Sequence, residues 1–362
     1  MKSYIEQRVA LLLKLIPIVN DYPSFVLTGG TAINFFFHQK MNRYSVDIDL
    51  ILNVDILNLK TLSRSEGLEM INENLEKLEH SIRKKLNIPD VRLSKKKSLL
   101  SVQEADIGFQ FDKSKKRKIT VKIEVHQVNM GLIGKPQKLD LIEDVAKEFR
   151  VPIYGIQTVP KEQLIAGKLV ASIARNLAKD TFDMFQMMKN KMSFESYREN
   201  IVYEIISSGT QIFKILNPSL NPVPKDWKEQ IASLGNNHYD FSKHIKVRKE
   251  IKTQVNQMLT DIDRFYLLAH SIGMIRKTDY KFKDYPSVKY RSDIALRYRI
   301  SHEQEHKNQI DELIKIFILY RPLDLKTNRL YDFFISSFFE RNRKSQKNDS
   351  KIRKYNPFKD FF

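Results

Sequence analysis

Cysteine is absent from the 362 residues. Disulfides and thiolate metal sites are therefore both excluded, and the composition suits a reducing cytoplasm. Long apolar runs are missing as well. The one near the start, "VALLLKLIPIV", is about half the length a bilayer needs and is interrupted by Lys14 and Pro17. Glu6 and Arg8 precede it and no small-residue cleavage site follows, so no cleavable signal is expected. Residues 4–20 read instead as an amphipathic helix of a folded body, with no membrane association. Acidic residues are in deficit: 43 Asp+Glu against 62 Lys+Arg leave a net charge of +19. Such an excess favours polyanionic partners, nucleic acid first, with an anionic membrane surface or an acidic protein as the other readings. No basic amphipathic helix with a strong aromatic face stands out to support the membrane. Internal repeats are also absent.

What is present is globular: 42% hydrophobic residues with 29% charged, in a chain long enough for two domains. "SFVLTGG" is a short β-rich run ending in glycines, and "TAINFFFHQK" has helical spacing. "VDIDLIL" alternates as a half-buried strand does, with Asp47 and Asp49 on one face and Val46, Ile48 and Leu50 on the other. A long helix is expected between about Leu59 and Leu86. "DIGFQF", the cationic "DKSKKRK" and "ITVKIEV" read as a hairpin. After "VPIYGIQTVP" the β signals fade, and Pro160 opens a helix at its first turn. The text is then mostly helical to about residue 340, with loop-like intervals at "NPSLNPVPKDW" and "KFKDYPSV". Seven basic residues and one acidic between Arg341 and Lys354 mark a basic arm without apolar periodicity.

Two carboxylates two residues apart on a strand project from one face and repel each other unless a cation lies between them. Mg²⁺ suits that position, because it takes hard oxygen ligands and is commonly shared with substrate phosphates. Glu124 in "VKIEVH" is the best third carboxylate, since its neighbours Ile123 and Val125 point the other way. Gly29 and Gly30, between a strand and a helix start, let backbone N–H groups approach a phosphate. Thr31 can add a hydroxyl donor or cap the helix. A phosphate cradle with metal carboxylates is equipment for phosphoryl chemistry on a nucleotide.

These residues resemble the polymerase-β-like nucleotidyltransferase superfamily, whose signature is a Gly-Gly or Gly-Ser pair, a helix and an Asp-x-Asp on the next strand. More narrowly, "GGTAINFFF" with "NRYSVDIDL" is similar to the AbiEii/AbiGii toxins of type IV toxin–antitoxin and abortive-infection systems, with Arg43, Ser45, Asp47 and Asp49 in the matching places. "KLVASIARNLAKDTFDM" resembles that family's second block through Lys168, Ala171, Arg175, Lys179, Asp180 and Asp183. One departure is the sixteen residues between Gly30 and Asp47, about one helical turn more than the superfamily spacing. On a continuous helix, Lys168, Ser172, Arg175 and Lys179 share a narrow arc with Asp183 beside it, opposite Leu169, Ile173 and Leu177. Asp180 falls at the edge of the apolar arc, where it needs a partner, unless the helix breaks there and restarts with Asp180 as its N-cap. Arg175 and Asp183 could pair with each other. His38 and His126 lie near the motifs and are assigned no role.

The resemblance implies an α+β fold: a polymerase-β-like core, a mixed sheet with flanking helices, over residues 1–158, then a mainly helical domain over 159–340 and the basic arm over 341–362. It implies a Mg²⁺-dependent enzyme, one or two ions with Mn²⁺ as a substitute, that moves an NMP from an NTP to an RNA acceptor, tRNA foremost, and releases pyrophosphate. Asp47, Asp49 and Glu124 would bind the metal; Lys168 and Asp180 would join them in catalysis; Gly29, Gly30, Thr31, Arg43, Ser45 and Arg175 would hold the nucleotide. A cognate antitoxin would restrain a cytoplasmic toxin that blocks growth or defends against phage. The other readings are transfer to a protein or small molecule, a metal-dependent hydrolase, and a non-catalytic binding protein with a vestigial site acting through its helical half and basic tail.

Overall fold

The computed structural model describes residues 3–37, 43–53, 64–86, 91–94, 103–110, 118–126, 132–189, 192–220, 227–234 and 239–320. Helix α1 (Tyr4–Asn20) opens with a capping box in which Ser3 accepts from the Glu6 N–H and Glu6 from the Ser3 N–H. It differs from the one-sided helix expected: Val9, Leu11, Leu12, Leu13, Leu15, Ile16, Ile18 and Val19 are all buried, which encloses most of its circumference. Pro17 lies inside it and supplies no N–H to the Leu13 carbonyl; the Tyr154 hydroxyl donates to that oxygen instead, at 3.0 Å.

Strand β1 (Phe25–Thr28) leads into α2 (Gly29–Ala32) and a π-turn (Ile33–Phe37), followed by β2 (Asp47–Leu52), α3 (Arg64–Leu86), β3 (Val91–Ser94), β4 (Gln103–Gln110) and β5 (Lys118–His126). Then come β6 (Gln137–Asp140), α4 (Glu143–Phe149) and β7 (Gly155–Thr158). The strands form one mixed sheet in the order β3-β4-β5-β2-β1-β7-β6. β2 runs antiparallel to β1 and parallel to β5, and β4 and β5 make the expected hairpin. Helix α1 packs along β1, β2, β5 and β7 and against α3. The helix after the glycines starts at Gly29 itself and widens into the π-turn, which takes up part of the long Gly30–Asp47 spacing. Residues 38–42, the start expected for the long helix near Leu59, residues 112–117 of the "DKSKKRK" turn, and the basic arm lie outside the described residues.

Beyond Thr158 every described element is helical: α5 (Lys161–Ala174), α6 (Ala178–Met188), a 3₁₀ turn (Phe194–Tyr197), α7 (Arg198–Ser207), α8 (Ile212–Leu216), α9 (Trp227–Leu234), α10 (Phe241–Met258), α11 (Asp261–Ser271), a second 3₁₀ turn (Ile275–Lys277), α12 (Pro286–Ser301) and α13 (Glu303–Tyr320). Pro160 occupies the N-cap of α5. The main apolar core runs from Val9 in α1 through the sheet to Phe317 in α13, and a smaller cluster of Ala178, Phe182, Leu234 and Tyr239 packs beside it between α6, α9 and the start of α10. The architecture is thus the α+β one expected, a mixed sheet with flanking helices followed by a helical region.

The second motif block is not one continuous helix. Between α5 and α6 the backbone opens, with Arg175 at φ −111°, ψ 129° and Leu177 at φ −107°, ψ 130°. The break is held from outside. Arg248 of α10 donates to the Ile173 carbonyl (3.0 Å), the Ser219 carbonyl (3.0 Å) and Asn176 Oδ1 (2.8 Å), while Gln230 of α9 accepts from the Ala178 N–H (2.6 Å). The Ile173 carbonyl and the Ala178 N–H at this junction are therefore bonded to side chains, and the Leu177 N–H to the Arg175 carbonyl. Asp180 is not an N-cap; it lies inside the first turn of α6 and is fully buried.

Candidate active site

Along β2, Ile48 and Leu50 are buried in the core while Asp47 and Asp49 are partly exposed on the opposite face. β5 repeats the alternation, with Ile123 and Val125 buried around a half-buried Glu124. The parallel register places Asp49 beside Glu124 and Asp47 beside Lys122, so all four side chains project from one face of adjoining strands. They line one cleft of about 780 Å³, together with Gly29, Gly30, Arg43, Ser45, Lys168, Arg175, Lys179 and Asp180.

Two basic side chains already neutralise part of this floor. Arg8, reaching from α1, stands 3.3 Å from Asp47 Oδ1 and donates to the Thr120 carbonyl at 2.8 Å. Lys122 forms an ion pair with Glu124. Among the described residues no three His, Asp or Glu side chains converge closely enough to hold an ion as they stand. The donor set nevertheless fits a hard divalent cation in kind, being all carboxylate oxygen on one face, and its partners Arg8 and Lys122 show where positive charge is favoured.

The glycine pair has a local reason as well as a chemical one. Gly29 has φ +71°, and a Cβ there would come 2.0 Å from Asp49 Oδ2. A Cβ on Gly30 would come 2.8 Å from an Arg43 terminal nitrogen and 3.1 Å from Ser45 Oγ. Both positions thus stay bare so that Asp49 and Arg43 can close against the turn. Thr31 departs from expectation: it makes no cap and faces inward. Its hydroxyl is fully buried, donates to the Asp47 carbonyl at 2.5 Å and lies 2.9 Å from Ser45 Oγ, so it ties the turn to β2.

Behind the glycines is a buried ionic network. Arg43 donates from Nε and a terminal nitrogen to the two oxygens of Asp183, each at 2.7 Å, and from its other terminal nitrogen to the Tyr44 carbonyl. Lys168 Nζ is 3.0 Å from Asp180 and 3.0 Å from Asp183, and Arg175 is 2.9 Å from Asp180. Asn34 adds a donor to Asp183 at 3.3 Å. Arg175 and Asp183 therefore do not pair with each other: the α5–α6 break turns Asp183 toward Arg43 and Lys168. Burial alone would raise both carboxyls, but Arg43 and Lys168 hold Asp183, and Lys168 and Arg175 hold Asp180, below the usual carboxylate range. Burial would likewise lower Lys168, and the two aspartates outweigh it, so the ammonium is held charged.

Sequence reasoning placed Asp47, Asp49, Glu124, Gly29, Gly30, Arg43, Ser45, Lys168, Arg175 and Asp180 at a site, and the fold brings all of them to this cleft. It missed Arg8, Lys122 and the depth of Asp183. Lys122 was legible, since it is two residues from Glu124 on the same strand face; Arg8 was not, since its partner is thirty-nine residues away in sequence.

No curated protein matches the chain. Among solved structures, a nucleotidyltransferase from H. pylori is similar at 16% identity and TM-score 0.41, over 72% of this chain and 100% of its own. The nucleotidyltransferase toxin MenT4 from Mycobacterium tuberculosis H37Rv is similar at 12% identity and TM-score 0.43, over 85% of this chain and 93% of its own. Likenesses so distant carry no conclusion about substrate. The family described as "Nucleotidyl transferase AbiEii toxin, Type IV TA system" matches residues 10–299, a span that includes both glycines, all three carboxylates of the sheet and the whole ionic network. The chain accordingly belongs to the AbiEii nucleotidyltransferase toxin family.

Proposed function

We propose that this enzyme transfers an NMP from an NTP to an RNA acceptor, tRNA foremost, and so blocks growth in a cytoplasmic toxin–antitoxin or phage-defence system. The observation that carries the reading is the placement of Asp47, Asp49 and Glu124 on one sheet face, against a glycine turn backed by Arg43 and Lys168. Asp47, Asp49 and Glu124 would hold Mg²⁺, or Mn²⁺ in its place. An ion held there would supply Lewis-acid chemistry, offsetting phosphate charge and lowering the pKa of a hydroxyl.

The chain's own groups do the rest. Gly29 and Gly30 present backbone to the triphosphate. Lys168 and Arg43 keep positive charge beside the leaving pyrophosphate, each buried and fixed by aspartates, so no reorganisation is needed as charge develops. Asp180 positions Lys168, and Arg175, half in solvent, can swing from Asp180 toward the nucleotide. Glu124 is placed to accept the acceptor proton when its pairing with Lys122 loosens. The positive charge of the chain favours a polyanionic acceptor, and a cognate antitoxin would hold the enzyme in check.

The test is incubation of the native chain and Asp47→Ala with each labelled NTP, Mg²⁺ and total RNA. Label on RNA with the native chain and none with the variant is expected. Label only on protein, or release of free NMP without a labelled acceptor, overturns the RNA reading.

A further inference from the structure

The cleft continues beyond the carboxylates to the end of α7, where Ser208, Gly209, Thr210 and Arg291 of α12 line it. The cations nearer the sheet all have acidic partners: Arg8 with Asp47, Lys122 with Glu124, Arg43 with Asp183, Lys168 with both aspartates, and Arg175 with Asp180. Lys179 has none among the described residues, but it is exposed, and a hydrated ammonium needs none. Arg291 is different. It is only partly exposed; its Nε is buried without a hydrogen-bond partner, as is that of Arg248, Arg264 and Arg299, but among the described residues no carboxylate pairs with it and no carbonyl accepts from its terminal nitrogens. Among the described residues its charge-stabilising contact is the ring of its own neighbour Tyr290, 5.9 Å away.

Structural arginines in the same helical half are built otherwise. Arg248 donates to the Ile173 and Ser219 carbonyls, Arg264 to those of Phe317 and Asn256, and Arg299 to that of Ile272. Each ties two segments together. Arg291 ties no two described segments, yet room is kept for it: a Cβ on Gly209 would come 2.9 Å from one terminal nitrogen and 3.4 Å from the other and from Cζ. Partial burial of an uncompensated guanidinium is costly, and its fork geometry suits phosphate oxygens. Burial presses on its charged form, offset in part by the Tyr290 phenol and by no carboxylate.

We propose that Arg291, lying on Gly209 in the cleft wall, binds a phosphoryl group of a substrate of the transfer reaction. The inference rests on nucleotidyl transfer taking place in this cleft and assigns a phosphate contact to its helical wall. The phosphate comes either from the NTP or from the acceptor's backbone, and the two differ in what they predict.

Full-length native chain, Arg291→Met, Arg291→Lys and Gly209→Ala are compared by thermal midpoint, with and without inorganic tripolyphosphate, and by binding of total tRNA across a salt series. A binding arginine predicts that Arg291→Met keeps or raises the ligand-free midpoint and loses affinity for one probe by roughly ten- to a hundredfold. Arg291→Lys recovers part of that loss, and Gly209→Ala, by displacing the guanidinium, reproduces it. Loss confined to tripolyphosphate, with a matching rise in KM for NTP, identifies the nucleotide as the source. A salt slope for tRNA shallower by about 0.7, with tripolyphosphate binding unchanged, identifies the acceptor backbone. A fall in the ligand-free midpoint with both probes bound as by the native chain overturns the proposal and makes Arg291 structural. These readouts need no turnover. Native chain that binds through Arg291 but labels no acceptor refutes the transferase reading alone, and undiminished binding by Arg291→Met beside normal transfer refutes the phosphate subsite alone.

Discussion

A single methyl group at position 29 meets Asp49 Oδ2 at 2.0 Å on a backbone already at φ +71°. Gly29→Ala is therefore expected to lose roughly 1 kcal/mol or more of stability from the left-handed backbone and to displace Asp49, abolishing label transfer; denaturant unfolding and the labelled-NTP assay check the two effects. Asp183 makes a different prediction. It is fully buried between Arg43 and Lys168, so Asp183→Ala leaves two cations short of an anion and should cost about 3–5 kcal/mol. Combining Arg43→Met with Asp183→Leu should recover most of that stability without restoring transfer, since an apolar pair can replace a buried ion pair in packing but not in charge. If transfer returns as well, Arg43 has no part in the reaction. At this scale the sequence was most legible where chemistry and geometry coincide: alternation put Asp47 and Asp49 on one face of their strand and set Glu124 apart from its apolar neighbours, and the need for a third carboxylate joined them. Thr31 was misjudged because nothing in "GGTA" tells whether a hydroxyl turns toward the cleft or, as here, toward the Asp47 carbonyl.

The break between α5 and α6 is an element whose cause lies far along the chain. "KLVASIARNLAKDTFDM" has good helical spacing throughout, so local periodicity favours a single helix. The interruption depends on Arg248, seventy-five residues after Ile173, which no local pattern announces. Arg248→Met is expected to cost about 2 kcal/mol or more, because two carbonyls and Asn176 lose a charged donor. It should also depress transfer by misplacing Asp180 and Asp183, although Arg248 is absent from the cleft lining. Unfolding midpoints together with turnover would show whether the two losses travel together. The β4–β5 hairpin was legible for the opposite reason, since strand alternation and a polar turn are local signals. β6, whose four residues alternate between half-buried and exposed, offered too short a pattern to read.

For the whole molecule, the main core and its buried polar groups set the response to acid. Burial, helped by Arg248, lowers His244 to about 4, and burial, helped by Arg291, lowers His270 to about 3. Both are neutral in the folded chain at neutral pH. As pH falls below about 6.5 the unfolded chain takes up protons that the folded one refuses, so stability declines from there until the folded imidazoles titrate. Asp180 and Asp183, whose folded values are depressed, add a second loss at lower pH, as the solution passes below the ordinary carboxylate range toward those values. Denaturant unfolding at pH 7.5 and 5.5 should show the first loss, and His270→Phe should reduce its size. An unchanged difference between the two pH values in that variant would contradict the assignment. The overall division into sheet and helices was visible in the sequence as β signals giving way after Pro160, whereas the main core was not, because which helix faces meet is decided only in three dimensions.

The bidentate contact between Arg43 and Asp183 joins side chains 140 positions apart. The glycine-and-aspartate signature is consequently not a portable cassette. A fragment ending at the last strand would leave the Arg43 guanidinium without the carboxylate it is bonded to. Grafting the signature onto a foreign scaffold, or splitting the chain for complementation, has to carry the Lys168–Asp183 segment along with it.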